Sequence, residues 1–262
     1  MENGKTRRIR RILKADSKAF IIAMDHGVTL GPVQGLEDMQ QAVNNVVSGG
    51  ADAVLFHKGI AKHVNVGNAG LIVHVSASTK LGGNPNLKVG VCTLDEAIRL
   101  GADAVSAHIN IGTEHEDKML ELLGGLSKEC DSFGIPLLAM MYPRGPNIKN
   151  EHEFELVSHA ARIGAELGAD IVKTVYTGDQ ESFRKVVRSC PVPVVVAGGP
   201  MMKTDADVLE LAQNSVKAGA AGLSFGRNVF QHANPQKMSR ALATIVHEGT
   251  TAQDALRLLE SS

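Results

Sequence analysis

The sequence has no excess of either charge, few cysteines and no apolar run of the length that crosses a membrane. Its 27 Lys and Arg residues are balanced by 28 Asp and Glu residues, and the formal net charge at pH 7 is -1. A balanced chain has no overall positive field to attract a nucleic acid or an anionic membrane. The apolar segments that a secretory signal or a transmembrane helix requires are missing. We therefore expect a cytoplasmic protein that acts on small molecules.

The cysteines and histidines form no recognisable metal-binding pattern. Cys92, Cys130 and Cys190 are widely separated, and no zinc-type spacing of cysteine or histidine occurs. Four of the ten histidines lie near the ends of predicted strands: His26, His57, His74 and His108. We interpret the cysteines as buried or inert thiols and these histidines as hydrogen-bonded or substrate-contacting groups. We expect neither a metal nor another cofactor.

Short apolar segments alternate with helical patterns along the whole chain. Eight segments have the length and composition of buried strands: Phe20–Met24, Ala53–Phe56, Leu71–Val75, Ala104–Ile109, Leu137–Met141, Ile171–Lys173, Val194–Ala197 and Gly222–Phe225. Helical patterns separate them: Leu36–Ser48, Leu94–Leu100, His115–Phe133, Glu153–Leu167, Glu181–Arg188 and Asp205–Ala218, with a helical tail from Gln236 onward. This alternation predicts an α/β protein with parallel strands.

Several predicted helices end in glycine just before a strand begins. The triplet Gly-Ala-Asp stands at residues 50–52, 101–103 and 168–170, with Gly219-Ala-Ala as a variant. Glycine supplies a left-handed helix stop and a short connection into a parallel strand. Eight such units close most naturally into one (β/α)8 TIM barrel over residues 1–262. An open, doubly wound sheet is the alternative architecture.

Segments outside the repeating units are also informative. The basic stretch Lys5–Lys14 has apolar residues at helical spacing, which predicts a leading helix against a barrel end or a neighbouring subunit rather than a binding arm. Two stretches rich in Gly, Asn, Ser and Pro, Asn65–Gly70 and Ser76–Lys88, are predicted to be loops. We expect both loops at the active face of the barrel.

Lys173 ends the sixth predicted strand, where a barrel opens its active site. Burial favours the neutral amine, which is the form that attacks a carbonyl to give a Schiff base. A lysine that reaches solvent or pairs with a carboxylate is the alternative. Lys58, after the second strand, is the rival nucleophile, although it stands further into a loop. Imine chemistry also needs proton carriers, and Asp25 and Tyr142 follow other strands.

Two glycine-containing segments follow the last two strands. Gly198-Gly199 and Gly226-Arg227 offer free backbone N–H groups and a guanidinium where barrels commonly hold a phosphate. Arg144 follows the fifth strand and either binds a second anionic group or forms a surface ion pair. A non-catalytic sugar-phosphate sensor would keep the two glycine segments without needing all three reactive side chains. A metal-dependent class II aldolase would need converging histidine ligands.

Six segments resemble the archaeal-type class I aldolases, a DeoC/LacD-like family: Met24–Val28, His57–Gly59, Met141–Gly145, Val172–Asp179, Val196–Pro200 and Gly226–Gln231. The resemblance implies a TIM-barrel enzyme in which Lys173 forms the Schiff base, Tyr142 donates protons and Asp25 accepts them. It implies these substrate-binding residues: Asp25, His26, Gly27, Val28, Thr29, Tyr142, Pro143, Arg144, Lys173, Gly198, Gly199, Gly226 and Arg227. It also implies a homo-oligomer, commonly a ring-shaped decamer.

Three further segments, His57-Lys58, His74–Thr79 and Ala104–Gly112, resemble family members that act as transaldolases rather than the fructose-1,6-bisphosphate aldolases. This implies that 6-deoxy-5-ketofructose 1-phosphate forms the imine, that a three-carbon phosphate departs, and that L-aspartate 4-semialdehyde is captured. The product would supply an alternative route to 3-dehydroquinate and the aromatic amino acids. There are two alternative reactions: cleavage of fructose 1,6-bisphosphate, and the joining of dihydroxyacetone phosphate to the semialdehyde.

Overall fold

A computed structural model describes residues 4–261, and its centre is a closed barrel. The strands of this part of the chain are β1 (Ala19–Ala23), β2 (Ala53–His57), β3 (Gly70–His74), β4 (Ser76–Ala77), β5 (Val89–Gly90), β6 (Ala104–Ile111), β7 (Leu137–Pro143), β8 (Ile171–Thr174), β9 (Val194–Ala197) and β10 (Gly222–Phe225). Eight parallel strands close the barrel in the order β1-β10-β9-β8-β7-β6-β3-β2, while β4 and β5 form a separate antiparallel pair. The predicted barrel is confirmed, and the open sheet is wrong.

Helices lie between the barrel strands and at both ends of the chain. Within residues 4–261 they are α1 (Gly4–Ile9), α2 (His26–Leu30), α3 (Met39–Ser48), α4 (Lys58–Ala61), α5 (Leu94–Arg99), α6 (Glu116–Phe133), α7 (Phe154–Glu166), α8 (Gln180–Ser189), α9 (Asp205–Lys217), α10 (Arg227–Phe230), α11 (Pro235–Glu248) and α12 (Ala252–Glu260). The predicted helical tail is confirmed as α11 and α12. The leading helix is shorter than predicted, since it ends at Ile9. None of these helices is long and apolar enough to span a membrane.

The barrel strands are buried on both faces. Every residue of β1, β3, β7, β8 and β10 is buried, because one face of each strand points into the barrel and the other faces the helices. The rings of Phe20, Phe56 and Phe225 are among the largest side chains that are fully enclosed. This two-sided burial explains why the strands are continuous apolar runs in the sequence.

Glycine ends the helices that lead into four strands, as the sequence predicted. Gly50, Gly101, Gly168 and Gly219 have φ angles of 102°, 80°, 93° and 100°, in the region where a side chain causes strain. In three of these junctions the aspartate that follows the glycine also forms a hydrogen bond to a neighbouring strand. Asp52, Asp103 and Asp170 accept hydrogen bonds from backbone N–H groups of the neighbouring strands β1, β3 and β7, at 2.7, 2.9 and 2.8 Å.

The same three aspartates bind the basic N-terminal segment. Lys14 Nζ lies 3.7 Å from Asp52, Arg11 Nε lies 2.7 Å from Asp103, and Lys5 Nζ lies 2.9 Å from Asp170. Lys5 Nζ also lies 2.5 Å from Asp131 on α6, and we call only the pairs with the three strand-start aspartates the three N-terminal ion pairs. Each aspartate directly precedes a strand, so the pairs lie at the N-terminal end of the barrel. The prediction that this segment packs against a barrel end is confirmed.

The two predicted active-face loops lie at opposite ends of the barrel. Asn65–Gly70 leads into β3, and the Gly70 N–H donates to the carbonyl of Asp52 at the start of β2. Its prediction as an active-face loop is therefore wrong, since it precedes its strand rather than follows it. Ser76–Lys88 follows β3, and Lys80, Asn86 and Lys88 line a cavity at the C-terminal end of the barrel, as predicted.

Candidate active site

A cavity of about 460 Å³ opens where the barrel strands end. Ten of the predicted substrate-binding residues line it: Asp25, His26, Thr29, Tyr142, Arg144, Lys173, Gly198, Gly199, Gly226 and Arg227. The other three predicted residues lie outside its lining. Gly27 and Val28 are exposed on α2, and Pro143 is buried as the last residue of β7. The structure thus brings together the side chains that the sequence placed after five different strands.

Lys173 lies on β8, in register with Met140 of β7 and Val195 of β9. The residue is 6% exposed, and within residues 4–261 its amine has neither a hydrogen bond nor an ion pair. Burial lowers the pKa of Lys173 from 10.5 to about 8, with a smaller effect of the same sign from Arg144, while the charge of Asp25 opposes both. The amine is therefore neutral in a substantial fraction of molecules near neutral pH.

Asp25 directly precedes α2, next to two imidazoles. Its carboxylate oxygens lie 3.8 Å from His74 Nε2 and 3.9 Å from His26 Nδ1. Burial by itself would raise the pKa of Asp25, but the positive charges of His74, His26 and Lys173 outweigh burial and hold that pKa well below its usual value. The histidines are protonated at the acidic pH where this carboxyl titrates. At neutral pH Asp25 is consequently a carboxylate.

His74 is fixed and uncharged at neutral pH. Its Nδ1 lies 2.8 Å from the hydroxyl of Ser106, and its Nε2 lies 3.5 Å from that of Ser76. Burial lowers the pKa of His74 to about 4, and only Asp25 opposes this shift. The ring is therefore a neutral hydrogen-bonding group beside Asp25. Within the described residues, no three His, Cys, Asp or Glu side chains converge as they would around a metal ion.

Tyr142, near the end of β7, is 5% exposed. Burial is the main cause that raises its pKa well above the usual value, so the phenol keeps its proton at neutral pH. The ring of His108 packs edge-on against it, with the ring centres 4.9 Å apart. His108 Nε2 lies 2.8 Å from Asn110 Oδ1, and Asn110 donates from Nδ2 to the carbonyl of Asn86. This chain of contacts fixes the wall around the phenol.

The two glycine segments meet at one side of the cavity. A Cβ on Gly198 would lie 2.9 Å from the ring of Phe225, and a Cβ on Gly226 would lie 2.7 Å from a ring carbon of His26. Neither position has room for a side chain, and both glycines line the cavity. We call the surface formed by Gly198, Gly199, Gly226 and Arg227 the glycine cradle.

Two side chains hold the glycine cradle in place. Arg227 donates from Nη2 to the carbonyl of Gly199 at 3.1 Å, while its buried Nε has no partner within residues 4–261. Asn228 donates from Nδ2 to the carbonyls of Gly198 and Pro200 at 2.9 and 3.0 Å. An unpaired buried N–H is costly unless a ligand accepts its hydrogen bond. The cradle thus has the charge and the free donor that an anion requires.

The rival lysine lies outside the cavity. Lys58 Nζ lies 2.8 and 3.0 Å from the two carboxylate oxygens of Glu96, and its side chain is 35% exposed. The hydrogen bond to Glu96 raises the pKa of Lys58, which keeps the amine protonated. A paired ammonium is a poor nucleophile. The geometry therefore favours Lys173 over Lys58.

Several cavity residues were not singled out as site residues from the sequence: Lys88, His108, Asn110, His152 and Ser224. His108 was recognised only as a histidine near a strand end. Lys88 is the last residue of the predicted loop Ser76–Lys88. The sequence of this loop has no periodic pattern, so it does not indicate which loop residues lie near the other site residues. Ser224 lies inside β10 with a buried hydroxyl that has no partner within the part of the chain described. A serine within an otherwise apolar barrel strand is the sequence feature that could have indicated this site residue.

Comparison with known proteins agrees with this geometry. The DeoC/LacD family aldolase pattern matches residues 19–232. The 2-amino-3,7-dideoxy-D-threo-hept-6-ulosonate synthase of Halobacterium salinarum is 44% identical over 255 residues, which cover 97% of this chain and 95% of that protein. Synthase 1 of the same name from Archaeoglobus fulgidus is 47% identical over 247 residues, covering 93% and 91%. A solved Schiff-base-forming fructose-1,6-bisphosphate aldolase superposes with a TM-score of 0.88 at 36% identity, covering 94% of this chain and 100% of that one.

Proposed function

The chain belongs to the DeoC/LacD family of aldolases, and we propose that it joins part of a phosphorylated ketose to L-aspartate 4-semialdehyde through a Schiff base on Lys173. One observation carries the proposal: a buried lysine amine with a lowered pKa shares a cavity with a neutral phenol and a carboxylate. These are the nucleophile and the two proton carriers that imine chemistry needs.

The first step uses the neutral amine of Lys173. At a pKa of about 8, about a tenth of the amines are neutral at pH 7, which is ~300-fold more than for an ordinary lysine. The amine adds to a ketone carbon of the substrate and gives a carbinolamine. Tyr142 donates a proton to the departing hydroxyl, water leaves, and the resulting iminium draws electrons from the bond to be broken.

The second step breaks and remakes a carbon–carbon bond. Asp25 accepts the proton of the substrate hydroxyl on the carbon that becomes an aldehyde, and the bonding electrons pass to the iminium, which becomes an enamine. The three-carbon phosphate leaves. The enamine then attacks the aldehyde carbon of the semialdehyde, the new alkoxide receives a proton, and water hydrolyses the imine to free Lys173. Atoms and charges balance without any external oxidant or reductant.

The glycine cradle accounts for the phosphate. The unpartnered Nε of Arg227, beside the backbone of the glycine segments, offers a hydrogen bond to an anion at the ends of β9 and β10. Cradles of this kind hold phosphates at the same place in many (β/α)8 barrels. Phosphate binding here leaves the carbon chain of the ketose beside β8, where Lys173 lies.

The names of the two similar synthases indicate the product, 2-amino-3,7-dideoxy-D-threo-hept-6-ulosonate. We propose 6-deoxy-5-ketofructose 1-phosphate as the donor, since removal of its three-carbon phosphate leaves the three carbons that the product adds to the semialdehyde. An alternative route to 3-dehydroquinate and the aromatic amino acids would use this product. We further propose a cytoplasmic homo-oligomer built from a single domain, with no nucleic-acid or membrane partner.

Mass spectrometry of the products tests this proposal. The protein is incubated with 6-deoxy-5-ketofructose 1-phosphate, and separately with fructose 1,6-bisphosphate, each with and without L-aspartate 4-semialdehyde. We expect a phosphate-free seven-carbon amino product only when the first ketose and the semialdehyde are both present. Cleavage of the bisphosphate to trioses at the same rate with and without the semialdehyde would contradict the proposal.

Fructose-1,6-bisphosphate aldolase is the second candidate function. It is favoured by the similarity to the solved Schiff-base-forming aldolase, which extends over 94% of this chain. The same experiment separates the two candidates, because the bisphosphate aldolase needs no semialdehyde. Both use Lys173 in the same way, so loss of activity in a Lys173 variant would not distinguish them.

A further inference from the structure

Lys88 is a buried cation without a carboxylate partner. The residue is 8% exposed and lines the same cavity as Lys173. Arg144, on the same wall, pairs with Glu151 at 2.6 Å. Within residues 4–261 no carboxylate lies within ion-pair distance of the Lys88 amine. Burying an unpaired ammonium is costly, which lowers the pKa of Lys88, and the nearby Arg144 lowers it further, while the charge of Asp25, which lies beyond ion-pair distance, opposes both. A bound anion would relieve both effects.

The antiparallel pair of β4 and β5 positions Lys88. The residue directly precedes β5, which pairs with β4 in register Ala77 to Val89 and Ser76 to Gly90. Its amine donates to the hydroxyl of Ser78 at 2.5 Å, and that hydroxyl donates its own proton to the carbonyl of Pro85 at 2.7 Å. A neutral oxygen therefore orients the ammonium, which has three N–H groups. Two of them have no acceptor in the described part of the chain.

Lys88 and the glycine cradle lie on opposite sides of Lys173. Going round the barrel from β8, the strands β9 and β10 carry the cradle, whereas β7 and β6 carry Tyr142 and Asn110 on the wall that Lys88 completes. The cavity thus has a cationic group at each side of its central amine. A ligand with one phosphate satisfies only one of them.

We infer that Lys88 binds the carboxylate of the acceptor aldehyde, together with Arg144, and so selects an aldehyde that carries an anion. This inference rests on the proposed function, in which the donor phosphate occupies the glycine cradle until its three-carbon fragment leaves, and L-aspartate 4-semialdehyde then brings an anion of its own. The second phosphate of a ketose bisphosphate is the other source of an anion at this place. Lys88 is a specificity residue, and it takes no part in bond making.

Two readouts separate binding of the donor from binding of the acceptor. Reductive trapping of the imine with 6-deoxy-5-ketofructose 1-phosphate alone measures donor binding. Saturation curves with L-aspartate 4-semialdehyde, and with propanal as an uncharged aldehyde, measure acceptor binding. Lys88→Met removes the charge, Lys88→Arg keeps it, and Ser78→Ala removes the hydroxyl that orients the amine. The exposed Lys62→Met is the matched control.

In Lys88→Met we expect the KM for the semialdehyde to rise ~10- to 100-fold, as befits a lost charge-assisted hydrogen bond. The donor concentration for half-maximal trapping and the KM for propanal stay within about twofold of wild type, because neither reactant uses the ammonium. Lys88→Arg restores part of the preference, and Ser78→Ala gives a smaller rise for the semialdehyde. Retained trapping also shows that each variant is folded.

An equal loss with both aldehydes, or a raised donor concentration for trapping in Lys88→Met, would overturn the inference while leaving the proposed function intact. Failure of the proposed function gives a different pattern. Wild-type protein would then cleave fructose 1,6-bisphosphate and ignore the semialdehyde. A raised KM for the bisphosphate in Lys88→Met would in that case assign the second phosphate, rather than a carboxylate, to Lys88.

Discussion

The guanidinium of Arg144 lies 4.5 Å from the centre of the Tyr142 ring. A cation over an aromatic face is an attractive contact, and it fixes the orientation of the phenol towards the cavity. The same charge partly offsets the effect of burial on the pKa of Tyr142. At neutral pH Tyr142 is thus a protonated phenol, and the neighbouring charge of Arg144 favours loss of that proton. This combination suits a general acid that donates and regains one proton in each turnover.

Tyr142→Phe keeps the ring and removes the proton carrier. We expect turnover to fall ~10²- to 10⁴-fold, which is the usual contribution of a general acid, while some imine formation persists. Product formation measures turnover, and reductive trapping with the phosphorylated ketose measures the imine. Unchanged turnover in this variant would exclude Tyr142 from proton transfer. Arg144→Lys, which keeps the charge, is the control for the contact above the ring.

The identity of the nucleophile is tested by a pair of lysine variants. Lys173→Met should abolish reductive trapping, because Lys173 has a pKa of about 8 and a buried amine with no partner within residues 4–261, whereas the buried amine of Lys88 donates to the hydroxyl of Ser78. Lys58→Met should trap as wild type does, since Lys58 lies outside the cavity as a partly exposed ammonium paired with Glu96. Peptide mapping of the trapped wild-type adduct identifies the modified residue directly. Persistent trapping in Lys173→Met would transfer the role to another lysine.

The rate of imine formation should depend on pH through Lys173. Below its pKa of about 8 the amine is protonated, so the trapping rate rises about tenfold per pH unit and levels off above that pKa. The charge of Asp25 raises the pKa of Lys173, so Asp25→Asn should move the rising limb to lower pH. Trapping rates between about pH 5 and about pH 10 check both statements. A limb at the ordinary lysine pKa would contradict the assignment of Lys173.

Arg227→Met should weaken binding of the phosphorylated ketose. The free Nε and the cradle around it are placed to bind a phosphate, and loss of a charge-assisted hydrogen bond should raise KM ~10- to 100-fold with a smaller change in kcat. The donor concentration for half-maximal trapping provides a second measure. The Lys88 variants offer the opposite pattern as a control. An unchanged KM would place the phosphate elsewhere in the cavity.

His247 should stabilise the fold at acidic rather than alkaline pH. Its two ring nitrogens lie 2.9 Å from Asp52 and 2.7 Å from Asp16, and the hydrogen bond to Asp52 is the main cause that raises the pKa of His247 above 6.5. Because the folded pKa is the higher one, the stabilisation is complete below 6.5 and is lost as pH rises through the raised value.

The comparison of His247→Asn with wild type checks this dependence. Urea midpoints should differ more at about pH 5.5 than at about pH 9, where the wild-type imidazole is also neutral. His63→Asn is the matched control, since His63 is exposed. A difference that is equal at both values, or larger at the alkaline one, would mean that the two contacts stabilise the fold without the charge.

The barrel could be predicted because strands that are buried on both faces are visible in the sequence as short apolar segments. Each strand is a short apolar run, and the glycines at positive φ mark where the helices end. The meeting of Asp25, Tyr142 and Lys173 in one cavity could be predicted as well, because the C-terminal ends of parallel strands converge on one face. Neither inference requires knowledge of which distant segments touch.

The unpredicted features depend on contacts between distant segments. Lys88 reaches the cavity only because β4 and β5 pair across a long loop, which no periodic pattern reveals. The Gly-Ala-Asp triplets predict a helix stop and a short connection, but no local pattern shows that their aspartates bind both a neighbouring strand and the N-terminal segment. Asn65–Gly70 was assigned to the wrong end of the barrel because its composition is that of a loop, and composition does not encode direction.

The three N-terminal ion pairs run in reverse order of synthesis. Lys14 meets Asp52, Arg11 meets Asp103, and Lys5, the first of the three cations to be made, meets Asp170, the last of the three carboxylates. In a chain that leaves the ribosome from its N-terminus, Asp52 is made before Asp103, and Asp103 is made before Asp170. The ion pair between Lys5 and Asp170 therefore cannot form until five of the eight barrel strands, β1, β2, β3, β6 and β7, have been translated.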